Sequence, residues 1–80
     1  MDIKVLGPGC ARCHDLEKRV RTAVAEAGIA AEIEKIEDIQ KIMTYHIMAT
    51  PGLVIDGAVK SAGRLPSVEE IKTWIQEKKG

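Results

Sequence analysis

Three observations predict an α/β fold with a four-stranded mixed sheet flanked by three helices. Apolar residues recur at helical spacing directly after a first short apolar run. An Asp-Gly pair separates two apolar triplets, the pattern of a tight hairpin. A Ser-x-x-Glu box then precedes a last apolar stripe. The 80 residues read as a single domain, 1–80, without repeats, low-complexity tracts or linkers.

The hydrophobic share of 45% suffices for a small core. Trp74 and Tyr45 are the only aromatic residues, so that core must be aliphatic. Lys plus Arg and Asp plus Glu number 12 each, leaving no net field to draw nucleic acid or an anionic membrane. With so few rings, base-stacking platforms are not expected either. No apolar run approaches the length of a membrane span. The opening Met-Asp-Ile-Lys reads as neither a secretory nor a transit segment. The expected setting is therefore the cytoplasm, where a structural disulfide is rare.

Along the chain, Ile3-Lys4-Val5-Leu6 reads as a short strand that stops at Gly7-Pro8-Gly9. Cys13, Leu16, Val20, Ala23, Val24 and Ala27 then form one face of a helix ending at Gly28. On its other face Asp15 precedes Arg19 and Glu17 precedes Arg21, both at i,i+4. Ala31-Glu32-Ile33-Glu34 alternates and reads as a second strand. Ile36, Ile39, Ile42 and Met43 return to helical spacing, with His46 at that helix's end. Residues 53–55 and 58–60 form a hairpin about Asp56-Gly57, a favoured type I′ pair. Ser67-Val68-Glu69-Glu70 is a capping box, and Val68, Ile71, Trp74 and Ile75 stripe the last helix. The order is β-α-β-α-β-β-α. Its first unit should be a right-handed crossover with parallel strands.

Both cysteines fall in Gly-Pro-Gly-Cys-Ala-Arg-Cys-His, residues 7–14. That spelling fits a redox dithiol, a soft-metal clip or a c-type haem attachment. Cys10 is expected where the first strand meets the first helix. Unpaired N–H groups and the helix dipole there favour a thiolate, and Arg12 adds a positive charge. Cys13, one turn on, shares the apolar face and should point inward. The outer sulfur is then the nucleophile and the inner one resolves the mixed disulfide.

A haem would need a pocket that this aromatic-poor α/β pattern does not supply, so His14 reads as an exposed first-turn residue. The metal reading has more substance, because heavy-metal-binding domains also place CxxC between a strand and a helix. Those domains carry Met where Pro8 stands and end on a strand, whereas this chain ends on a helix. Two sulfurs also fall short of a closed zinc site. His46 can be drafted as a ligand, but it suits a helix end better.

Taken with Ala-Thr-Pro-Gly-Leu-Val-Ile-Asp-Gly at 49–57 and Ser-Ala-Gly-Arg-Leu-Pro-Ser-Val-Glu-Glu-Ile at 61–71, the motif at 3–13 resembles the smallest thioredoxin-like proteins. These are the compact archaeal and bacterial thioredoxin/glutaredoxin-like redox-active disulfide proteins. The resemblance implies a minimal thioredoxin-like fold, with Cys10 attacking and Cys13 resolving. It also implies that Thr50 precedes a cis Pro51 facing the dithiol, and that the pair lines the substrate edge. The chain departs from typical thioredoxins at Gly9, where they carry Trp, and at Ala11-Arg12, where they carry Gly-Pro. Lys4 stands where they carry a buried Asp. Gly63 alone stands where glutaredoxins have a Gly-Gly that helps hold glutathione.

The implied activity is a thiol–disulfide oxidoreductase that reduces protein or small-molecule disulfides without a bound cofactor. Its expected partners are disulfide-containing proteins and a reductase or small-thiol electron donor, with the protein a monomer. A soft-metal-binding or metal-delivery domain using the same two sulfurs is the alternative, and a redox-inert interaction module a third.

Overall fold

The structure, a computed structural model, describes residues 1–9 and 11–79; Cys10 and Gly80 lie outside the described residues. Strand β1 (Asp2–Leu6) leads into helix α1 (Ala11–Ala27), followed by β2 (Glu32–Ile36) and the short α2 (Ile39–Met43). The hairpin of β3 (Gly52–Ile55) and β4 (Ala58–Ala62) then precedes α3 (Val68–Lys79). The strands join in the order β2-β1-β3-β4. β1 pairs parallel with β2 and antiparallel with β3, and β3 pairs antiparallel with β4. This is the α/β, four-stranded mixed sheet with three helices that the sequence predicts.

Period-two alternation sorts the strand residues onto two faces. Ile3 and Val5 of β1 with Leu53 and Ile55 of β3 meet Leu16, Val20 and Ala23 of α1 and Ile71 and Ile75 of α3. Leu6, Ile36 and Val54 lie on the other face beneath Ile42, with Tyr45 and Ile47 at the margin. The molecule is thus three layers, with α1 and α3 on one side and α2 on the other. Five residues of α2 cannot cover a whole sheet face, which leaves Val59 and part of Lys4 in solvent. Lys4 bridges Asp2 at 2.9 Å and Glu34 at 3.4 Å. Its ammonium is held above the ordinary lysine range, first by the hydrogen bond to Asp2.

Local signals act as expected at four places. Gly28 follows α1 with φ 67°. Asp56 and Gly57 both have positive φ in the hairpin turn, 48° and 84°. Ser67 and Glu70 close the capping box reciprocally, each backbone N–H donating to the other's side chain at 3.1 Å. His46 takes φ 59° and donates its N–H to Met43 O, ending the turns after α2.

Other expectations need correction. Ile36 belongs to the end of β2, not to the second helix, and strand pairing from Asp2↔Glu32 to Leu6↔Ile36 holds it there. Its helical spacing to Ile39 is accidental: Ile39 and Met43 are 54% and 66% exposed, and only Ile42 is buried. The short helix starts instead at Asp38, whose carboxylate accepts the Gln40 N–H at 2.9 Å. β4 runs two residues further than the hairpin pattern suggests, because a bulge between Leu53 and Val54 lets Ser61 and Ala62 rejoin the ladder. On α1 the Glu17–Arg21 bridge forms at 2.9 Å, whereas Arg19 donates to Pro66 O at 3.0 Å. Arg19 therefore ties α1 to the segment before α3.

Candidate active site

Parallel pairing brings the C-terminal ends of β1 and β2 to the same edge of the sheet, where the 7–14 motif lies. Gly7 continues the ladder beyond β1 by donating its N–H to Ile36 O at 2.9 Å. The chain then turns at Gly9, whose φ of 91° is left-handed, and α1 begins at Ala11. The expected nucleophile, Cys10, sits between those two residues in the sequence and lies outside the described residues.

Cys13 occupies the first turn of α1 and is 2% exposed, as its place on the apolar face demands. Its sulfur lies directly against Gly7: a Cβ built on Gly7 would overlap Cys13 Sγ and stand 3.9 Å from Thr50 Cβ. Cys13 and Thr50 thus border one small space at the end of β1. Gly7 is not among the glycines with positive φ, so its smallness serves this close approach and not a turn. Of the two glycines that flank Pro8, Gly9 is the one with positive φ.

Thr50–Pro51 is a cis peptide, as the resemblance implied. Thr50 is half-buried and Pro51 buried at the mouth of β3. Pro51 O accepts the Gly63 N–H at 2.9 Å. Gly63 has φ 80°, and a Cβ there would come within 2.9 Å of Ala49 Cβ. Arg12 Nη2 in turn donates to Gly63 O at 3.3 Å. Gly63 therefore joins the first turn of α1 to the 49–51 loop. Arg12, expected to tune the thiolate, is exposed with its guanidinium on this carbonyl.

His14 is exposed. The sequence reading missed Glu37, whose Oε2 would stand 3.0 Å from a Cβ on Gly9. It follows β2 directly, and only the parallel pairing carries it to the motif. Among the described residues no group of three or more His, Cys, Asp or Glu side chains could hold a metal ion. Among the same residues no helix is long and apolar enough to cross a membrane.

A family model for the thioredoxin domain matches residues 1–76. A protein named thioredoxin from Methanothermobacter thermautotrophicus is 50% identical over 72 residues, covering 90% of this chain and 94% of the relative. A second, from Methanocaldococcus jannaschii, is 41% identical over 74 residues, covering 92% of this chain and 85% of the relative. A probable thioredoxin of the former organism is 34% identical over 73 residues, covering 88% of this chain and 85% of the relative. The chain belongs to the thioredoxin domain family and is a thioredoxin-like oxidoreductase.

Proposed function

We propose that the protein reduces disulfides of proteins or small molecules through a Cys10–Cys13 dithiol, without a bound cofactor. The observation that carries the reading is the buried Cys13 sulfur in the first turn of α1, bordering the same space as Thr50. The Cys10 thiolate attacks a substrate disulfide, forms a mixed disulfide and expels one substrate thiolate. Cys13, as thiolate, attacks the Cys10 sulfur and expels the second. Two electrons pass to the substrate, and Cys10–Cys13 is left oxidised. A reductase or small-thiol donor returns both electrons. Thr50 and Pro51 form the edge along which an extended substrate segment lies. Arg12 contributes positive charge between the cysteines, which favours the thiolate.

The expected setting is the cytoplasm, with the protein a monomer acting on disulfide-containing proteins; a reducing compartment keeps the dithiol ready to attack. The test is dithiothreitol-driven reduction of a protein disulfide. Turnover by the native chain and its loss in Cys10→Ser and Cys13→Ser support the reading. Tight stoichiometric Cu(I) or Zn binding with no turnover would replace it with a metal-delivery role.

A further inference from the structure

We propose that Gly7 is a positioning residue for the resolving step, its missing side chain being the seat of the Cys13 sulfur. This rests on the dithiol reading above. Gly7 is buried, and its backbone is fixed from two directions: Leu6 before it is paired in the sheet, and its own N–H is bonded to Ile36 O at 2.9 Å. A Cβ there would overlap Cys13 Sγ and come within 3.2 Å of Cys13 Cβ. Even alanine, the smallest side chain, cannot share the space with the sulfur. With the strand end fixed, relief has to come from Cys13, by a changed rotamer or a shifted first turn of α1. Thr50 Cβ stands 3.9 Å from the same point, in ordinary van der Waals contact with it.

The consequence is confined to one chemical step. Attack on a substrate uses the Cys10 thiolate, breaks the substrate S–S bond, and leaves Cys10–S–S–R plus one thiolate. Resolution needs Cys13 Sγ in line with that new bond, so that Cys10–Cys13 forms as R–S⁻ departs. A displaced Cys13 slows the second event and leaves the first alone. Gly7 thereby separates the two halves of the reaction.

A chromogenic aryl disulfide reports both halves, because each event releases one coloured thiolate. In Gly7→Ala the first release keeps its rate within about twofold and the second slows at least about tenfold, since small misplacements of reacting atoms have large effects on rate. Stability supplies an independent arm. Gly7→Ala lowers the urea midpoint, and the loss shrinks in a Cys13→Ala background, where no sulfur needs the seat. If Gly7→Ala does not fold alone, folding of the double variant carries the same meaning, and its failure to fold overturns the proposal. A second release at the native rate, or an equal stability loss in both backgrounds, also overturns it. Failure of the dithiol reading looks different: two-phase release by the native chain that persists in Cys10→Ser.

Discussion

Arg12 Nη2 lies 3.3 Å from Gly63 O and donates to it, so the residue just before Cys13 in the motif is tied to the segment after β4. Because Gly63 also donates to Pro51 O at 2.9 Å, one glycine links the CxxC helix to the proposed substrate edge. The proposal that Arg12 also favours the thiolate gives it a second, separable effect, one of charge beside this one of geometry.

Lysine keeps the charge of Arg12 but not its planar fork. Arg12→Ala should raise the pH at which Cys10 becomes alkylated, and Arg12→Lys should not. Both should raise KM for a protein disulfide by roughly two- to fivefold, the equivalent of about 0.5–1 kcal/mol for an exposed charged contact. Alkylation rate against pH and steady-state kinetics read the two effects separately. An Arg12→Ala protein unchanged in both would remove Arg12 from the mechanism.

The cap of α3 should make stability depend on acid. The Glu70 carboxyl is held at about 2, below its ordinary 4.5, first by the Arg64 guanidinium at 2.9 Å and then by the Ser67 N–H. A depressed carboxylate stabilises the fold above its unfolded value, and that contribution is lost as pH falls from 4.5 toward about 2. Glu70→Gln should be less stable than the native chain at neutral pH, with the gap closing through that acid window. Urea midpoints at several pH values check it; a gap independent of pH would show that the charge has no part. Arg64 also stands 5.8 Å from the Trp74 ring centroid, so the substitution should perturb tryptophan fluorescence.

Ser61 carries a buried hydroxyl that meets no hydrogen-bond partner among the described residues. Its place in β4 opposite Leu53 turns it toward the α1–α3 core. An unpaired buried polar atom costs about 1–3 kcal/mol, so Ser61→Ala should stabilise the chain by about 1 kcal/mol. In a domain of this size that is a Tm increase of roughly 4–8 °C. A lower Tm would mean that the hydroxyl is satisfied in solution.

Burial, and not apolar character alone, should set the effect of large-to-small changes. Leu16 is fully buried between α1 and the sheet, and Leu16→Ala should cost about 2–5 kcal/mol. Ile39 and Met43 have the spacing of a buried stripe but stand in solvent; alanine at either should shift stability by less than about 0.5 kcal/mol. Comparable losses at Leu16 and Ile39 would contradict the layering described above.

Much of this fold was legible in order. The face of α1, the Gly28 stop, the Asp56-Gly57 turn and the Ser67–Glu70 box each depend on residues within about one helical turn of one another, where sequence and geometry coincide. The burial of Cys13 followed from the same helical face. Misreadings occurred where a local pattern had no tertiary support. Ile36 fits both a strand end and a helical repeat with Ile39, and only pairing with Leu6 decides between them. Arg19 faces Asp15 by spacing, yet it reaches Pro66 O because α3 packs alongside α1.

The sequence by itself determined the elements and put Cys13 on the buried face at the start of α1, because propensity, caps and apolar period act over a few residues. Only the tertiary structure decided that β1 lies between β2 and β3. Sheet order is chosen by burying both faces of the sheet at once, which no local window can sense. From that order came the approach of Glu37 to Gly9 and the link from Arg12 through Gly63 to Pro51. The reason for Gly7 lies at the same level. Its side chain is excluded by a sulfur that becomes its neighbour only once α1 has packed back on the strand.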